Sequence, residues 1–298
     1  MQNKDIEVII ESNVVLDSLP SGSGMVVAGS NAWIICDDAT GLYSLSLAGD
    51  QYHKIAFPQY DTTVYRIPKP VKPDFESAAM GQVNGKDHIL AFGSGSLSPH
   101  RDSLLLFDPS SEHIRFVSLE PFYNALRQRA QLDSGELNIE GAVITKDHLY
   151  LLNRGRNLLF SVSWPQFKKH IEGASELPAF TIHKVALPVS SGLQAGFAGA
   201  CSLDDNNILF SASLEDTRNS IADGAIYGSY IGILGIDKDS AQVKAITQLK
   251  DASGKAVMDK VESLDVIRKN ADKSIQLAAI VDNDDGSSKL LILYLSYH

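Results

Sequence analysis

Cysteine is scarce in this chain. The two residues, Cys36 and Cys201, both fall in apolar strand-like runs and show no metal-ligand spacing. That excludes a disulfide scaffold and a thiolate zinc site, and predicts two buried free thiols. Long hydrophobic runs are missing too: none approaches the roughly 18 residues of a membrane span, so no membrane partner is expected. The first residues, MQNKDIEVIIE, carry charge inside their apolar stretch and lack a small-residue cleavage site. They do not read as a signal peptide, which points to the cytoplasm, or to the periplasm or outside for a processed chain. Positive charge is outnumbered, 26 Lys and Arg against 36 Asp and Glu, for a formal net charge of -10. A nucleic-acid backbone is therefore excluded as the main partner. Nucleophile and phosphate motifs are absent as well. No Gly-x-Ser-x-Gly elbow occurs, no Gly-rich loop precedes a helix, and no histidine pair has zinc-ligand spacing.

What the sequence does contain is a repeat. PDFESAAM, LNIEGAVI and DKVESLDVI each place a glutamate (Glu76, Glu140, Glu262) after a hydrophobic residue and before a Ser or Gly and a short apolar run. Each run is followed by a polar turn, a second strand, a loop and further strands rich in β-branched and aromatic residues. Weaker units start near Ser23 and Ala198, so that successive starts lie 53, 64, 58 and 64 residues apart. Four short strands at such a period are the signature of a β-propeller. The whole chain, residues 1–298, reads as one all-β propeller domain of five four-stranded antiparallel blades. The last unit has three strands, and residues 6–11, which lack a partner in the first unit, are expected to supply its fourth and close the ring, removing exposed edges. A six-bladed ring, with residues 59–75 as a partial blade, is the alternative. Two stretches break the strand pattern, 120–132 and 164–174, and predict short helices lying between blades. A closed ring needs no partner to fold, so a monomer is expected.

Propeller geometry assigns the charges to one face. The connection into each innermost strand and the loop between second and third strands emerge together, so Glu76, Glu140 and Glu262 should ring the channel mouth. The same face receives the loops carrying His100 and Arg101, Asn153, Arg154 and Arg156, Glu215 and Arg218, and Asp282. Crowded carboxylates repel unless a cation compensates them. Calcium or another divalent cation would find oxygen ligands in Glu76, Glu140, Glu262 and Asp282. Arginines suit an anionic group held bidentately. Exposed tyrosines such as Tyr43, Tyr227 and Tyr230 would suit a small molecule or glycan. Alternatively, each glutamate simply accepts backbone amides of the next blade and staples the ring.

The stretches KPDFESAAM, FGSGSLSPHRDSLLLF, LNIEGAVI, LNRGRN and VESLDVI followed by AAIVDNDDG resemble a bacterial family of uncharacterised β-propellers. More distantly, the chain is similar to the esterase-like phytases, in which an inner-strand Glu-Gly and a final Asp-Asn loop recur. That similarity implies metal-dependent hydrolysis of a phosphate or carboxylate ester, with Glu140, Glu262 and Asp282 in the site beside Asn283. The chain departs from the pattern in having Ser, not Gly, after Glu76 and Glu262. Three functions follow: a propeller binding a small anionic or polar ligand at the charged face; a hydrolase there, with Glu140 and His100 as its catalytic groups and Arg101 and Arg154 holding the anion; or a scaffold.

Overall fold

A computed structural model describes residues 5–48, 52–61, 63–133, 135–216, 225–237, 240–251, 253–283 and 285–297. The chain opens with strand β1 (Ile6–Leu16) and then builds the first blade from β2 (Gly22–Ala28), β3 (Asn31–Cys36), β4 (Gly41–Ser46) and β5 (Tyr52–Ala56). The second blade is β6 (Phe75–Val83), β7 (Lys86–Gly93), β8 (Ser103–Asp108) and β9 (His113–Ser118). Helix α1 (Glu120–Ala130) leads to the third blade: β10 (Ile139–Ile144), β11 (His148–Asn153), β12 (Leu158–Ser163), helix α2 (Trp164–Ile171) and β13 (Phe180–Lys184). A small hairpin, β14 (Val189–Ser190) and β15 (Leu193–Gln194), precedes the fourth blade. That blade is β16 (Gly196–Asp204), β17 (Asn207–Asp216), β18 (Ala225–Ile236) and β19 (Ala241–Gln248). The fifth is β20 (Lys260–Lys269), β21 (Ile275–Asp282), β22 (Ser288–Tyr297) and, returning from the other end of the chain, β1.

This is the five-bladed propeller that the repeat predicts, closed by the N-terminal strand; β1 pairs antiparallel with β22 from Ile6 opposite Tyr297 to Leu16 opposite Ser288. The six-bladed alternative fails because the described residues of 57–74 form no sheet of their own. Among those described residues only Arg66 bridges, to Ala39 of the first blade. Alternation drives each blade: Phe92, Leu104, Leu106, Leu151 and Phe160 turn one way and Ile89, Ala91, Leu105 and Phe107 the other, burying both sheet faces against neighbouring blades. Both cysteines are buried free thiols.

The helices depart from expectation in one respect. Helix α1 lies between blades, but α2 connects β12 to β13 and so belongs to the third blade. Pro165 sits in the first turn of α2, where its missing N–H costs nothing. Together the helices fill the wedge between the second and third blades: Phe122 lies 5.5 Å from Phe167 and 6.1 Å from Phe180, ring centre to ring centre. Helix α1 also reaches the charged face. Arg127 of α1 binds Asp102 and donates to the Gly95 carbonyl at 2.6 Å, while the Tyr123 hydroxyl donates to the Gly93 carbonyl at 2.9 Å. The loop that carries Arg101 is thereby pinned.

Candidate functional site: the channel mouth

Every innermost strand carries a β-bulge at the same height. The register with the second strand slips between Gly22 and Gly24, Phe75 and Ser77, Ile139 and Gly141, Phe197 and Gly199, and Val261 and Ser263. The extra residues are Ser23, Glu76, Glu140, Ala198 and Glu262, the five positions that the repeat singles out. A bulge re-aims the side chain of its extra residue, and the repetition gathers three carboxylates at one end of the channel. The residue after each bulge is small because neighbouring inner strands approach there. A Cβ on Gly199 would stand 2.5 Å from the Glu262 carbonyl oxygen, and one on Gly24 2.9 Å from the Ser77 carbonyl carbon.

Residues two positions before the bulge complete the arrangement, as expected of a strand whose alternate side chains share a face. Lys260 Nζ pairs with Glu262 Oε1 at 2.7 Å, and Asn138 Nδ2 donates to Glu140 Oε1 at 2.7 Å. Asp74 precedes Glu76; it binds Lys72 at 2.6 Å and Arg101 at 2.7 Å. Lys72 also binds Asp37 from the first blade. Blade four has Gly196 and Ala198 at the matching positions. That leaves room for Arg154 of blade three, whose Cγ would lie 2.7 Å from a Cβ on Gly196. Arg154 crosses to Glu215 and stands 3.9 Å from Glu140, while Lys260 approaches Glu215 to 3.9 Å. The mouth thus has two halves, one around Lys72, Asp37, Asp74 and Glu76, the other around Arg154, Glu140, Glu215, Lys260 and Glu262.

The charges are strained by burial. Burial pushes Glu76 well above the usual carboxylate range, and Asp74, Glu140 and Asp37 add to the rise. Burial likewise raises Glu140, against the pull of Arg154 and Lys260. Burial lifts Glu262 to about 8 although Lys260 opposes it, with Glu140 adding repulsion. Asp74 goes the other way: burial would raise it, but Lys72 and Arg101 outweigh that and hold it low. Glu140 and Glu262 are each 5% exposed, and each has one oxygen, Oε2, without a hydrogen-bond partner. Among the described residues, no backbone amide donates to these two or to Glu76.

Stapling between blades falls to other residues. Ser263 Oγ accepts from the Met25 amide at 3.1 Å, Asp265 Oδ2 from the Val27 amide at 2.7 Å, and Ser229 Oγ from the Val261 amide at 3.1 Å.

The remaining predicted residues divide. Arg101 and Arg154 are held in the network, and Glu215 is the acceptor for Arg154. Asn153 is fully buried with both polar ends used, accepting from the Asn138 amide at 2.6 Å and donating to the Glu136 carbonyl at 3.1 Å. Arg156 sits out on the rim, paired with Glu136 at 2.7 Å. His100 is exposed, and among the described residues no hydrogen bond or ion pair ties it to the mouth. Asp282 ends β21 opposite Lys260. Arg218 lies outside the described residues. Of the tyrosines, Tyr227 is exposed, Tyr230 half-buried and Tyr43 buried. Among the described residues, one acidic group has metal-ligand spacing: Asp37, Asp74 and Glu76, with ligand atoms within 4.8 Å of one another. It shares only Glu76 with the predicted metal set. Lys72, Asp74 and Lys260 were not among the predicted site residues, and the alternate spacing in Lys-Pro-Asp-Phe-Glu and Lys-Val-Glu is the signal that points to them; Asp37 is expected on this face from its place in the CDDATG loop.

Comparisons with known proteins find one family and several structural neighbours. A family model described as a family of unknown function (DUF6929) matches residues 18–295. A search of curated proteins found no match. Among solved structures, glutaminyl cyclase of Myxococcus xanthus is similar over 99% of this chain and 98% of its own, at 11% identity and a TM-score of 0.52. The PQQ-bound aldose sugar dehydrogenase of Streptomyces coelicolor is similar over 98% of both chains, at 10% identity and a TM-score of 0.45. At such identities the likeness to the cyclase speaks for the fold alone.

Proposed function

The chain belongs to this family of unknown function, and we propose that it is a binding propeller that takes a small polar ligand at the channel mouth. One observation carries the reading: Glu140 and Glu262 each keep a buried oxygen without a partner at the centre of a face whose ring-stapling is done by other side chains. A buried acceptor left unsatisfied costs about 1–3 kcal/mol, and a ligand with hydroxyl or amine donors recovers that cost. The arginines favour such a ligand over a wholly anionic one. Arg101, Arg154 and Arg156 already bind Asp74, Glu215 and Glu136, so an incoming phosphate or carboxylate competes with the protein's own carboxylates.

The test is a thermal-shift screen of polar metabolites, polyols and sugars on the wild type and on Glu140→Gln. A true ligand at tens of times its Kd raises stability by about 2 kcal/mol, seen as several degrees in the wild type and as no shift in the variant. A library that shifts neither protein sinks the reading.

A second reading, the metal-dependent ester hydrolase that the phytase resemblance implies, has one observation in its favour, the Asp37, Asp74 and Glu76 group. Oxygen ligands of this kind suit calcium. Lys72 is its competitor, since the ammonium already binds Asp37 and Asp74. Calcium, magnesium and manganese chlorides belong in the same screen. A shift lost in Glu76→Gln, with hydrolysis of a phosphate or carboxylate ester that depends on the same ion, is what this reading requires.

A further inference from the structure

Resting on the binding reading above, we infer that the ligand of the channel mouth is an organic cation, an alkyl guanidinium or primary ammonium, seated between Glu140 and Glu262. In the half of the mouth built by blades three to five, two cations, Arg154 and Lys260, face three carboxylates, Glu140, Glu215 and Glu262. With all three carboxylates ionised, the balance is one positive charge short inside a buried space, where an uncompensated charge is costly; a shared proton or a bound cation supplies it. Of the unpartnered buried atoms on charged groups in this half, two are acceptors, Glu140 Oε2 and Glu262 Oε2, and one is a donor, Arg154 Nη1; the two acceptors mark where a further cation would sit. Glu140 is pulled down by Arg154 and Lys260 and pushed up by Glu215 and by Asp74 of the other half, so charges of both halves act on its carboxyl.

The shape of the missing group follows from the groups already present. Three carboxylates of the mouth are held by the protein's own ammonium or guanidinium groups, Lys260 on Glu262, Lys72 and Arg101 on Asp74, and Arg154 on Glu215, whereas Glu140 has Arg154 only at 3.9 Å. Glu140 and Glu262 do not come within metal-ligand spacing as part of any group of three among the described residues, whereas a planar guanidinium spans separated acceptors with several N–H donors. The rim suits the rest of such a ligand. Tyr227 near the start of β18 and Met258 just before β20, two residues from Lys260, are exposed. Aromatic and thioether side chains are natural neighbours for an alkyl chain bearing a cation.

The cation has two possible sources, a free amine or the basic side chain of a peptide. Isothermal titration calorimetry with agmatine, putrescine and the capped peptide acetyl-Gly-Arg-Gly-amide separates them. Myo-inositol, inorganic phosphate and calcium chloride are the neutral, anionic and metal arms. The expected result is binding of at least one guanidinium or ammonium probe, weakened about tenfold or more, in keeping with loss of a charge-assisted contact, by Glu140→Gln or Glu262→Gln. The rim variant Glu136→Gln leaves it unchanged. The variants are isosteric, and either one that folds, checked by its thermal transition, suffices. Binding of inositol or phosphate that the variants abolish, with the cations inert, overturns this inference and leaves the polar-ligand reading standing. Calcium binding alone, lost in the variants, overturns it in favour of the metal reading. Cation binding equal in wild type and variants overturns it too, as does no binding by any probe. In that last case the metabolite screen decides the broader reading separately.

Discussion

Asp265 is the residue that does what the bulge glutamates do not. It sits on β20 of the fifth blade, accepts the Val27 amide of the first blade, and lies beside the Cys201 thiol of the fourth. Burial lifts its carboxyl from 3.8 to about 6, against the pull of the Val27 and Val266 amides. The consequence for stability has a definite sign. A carboxyl whose folded-state value is raised binds its proton more tightly folded than unfolded, so its stabilising contribution is full below about 3.8 and disappears as pH rises through about 6. Asp265→Asn keeps an oxygen to accept the Val27 amide and removes the titration. The stability difference between variant and wild type should move in the variant's favour by about 1–3 kcal/mol between pH 4 and pH 7. Urea unfolding at pH 4, 5.5 and 7 reads it directly, and a difference that stays flat with pH would refute the assignment. The other carboxylates cancel in that comparison. At this scale the sequence is legible in part: Glu76, Glu140 and Glu262 stand out by their repeated context. Asp265 does not, because its partner lies 238 residues away across the closure of the ring.

The β-bulge is the element that makes the site. Its recurrence in all five inner strands explains why a glutamate before a small residue recurs in the sequence: the first is re-aimed into the channel, the second lets adjacent strands meet. Small residues here serve different purposes, and substitution separates them. Gly199→Ala sets a Cβ 2.5 Å from the Glu262 carbonyl oxygen and 2.7 Å from the Ser263 Cα, backbone that has nowhere to move without opening blades four and five. A loss of about 1–3 kcal/mol follows from overpacking. Ser77, at the equivalent place in blade two, has a buried hydroxyl without a partner. Ser77→Ala removes an unsatisfied group and should be neutral or slightly stabilising. Equal melting temperatures for the two variants would show that the strands tolerate side chains here, contrary to the geometry. The elements that sequence reading placed least well are those set by neighbours: α2 looks like an inter-blade helix because nothing in WPQFKKHI says that β13 will follow it within the same sheet.

A ring of five sheets has one seam, and in this molecule it runs through the fifth blade. β1 joins β22 along its whole length, with a register shift between Ile10 and Ser12, and buries Ile6, Val8 and Leu16 against the blade faces. Closure therefore rests on pairing, and chain connectivity at that point is incidental. Two constructions test this together. Deleting residues 1–17 leaves the ten-residue strand β22 with an unpaired edge and uncovers the core below it. Such an edge templates association, so the truncated chain should lose its cooperative melting transition or aggregate. Ile6 lies opposite Tyr297 in the register, which brings the two ends of the seam to hairpin distance. A circular permutant that begins at Ser18, joins residue 297 through a two-residue Asn-Gly turn to residue 6, and ends at Asp17 keeps every strand pair while turning β22 and β1 into an ordinary hairpin. It should melt within a few degrees of the wild type. It should also keep whatever ligand response the channel mouth has, because the bulges and their charges lie on strands the permutation does not touch. A truncated chain as stable as the full one would refute closure by β1. A permutant that fails to fold would show that the loop at residues 17–21, cut in its making, holds the ring where the seam was thought to.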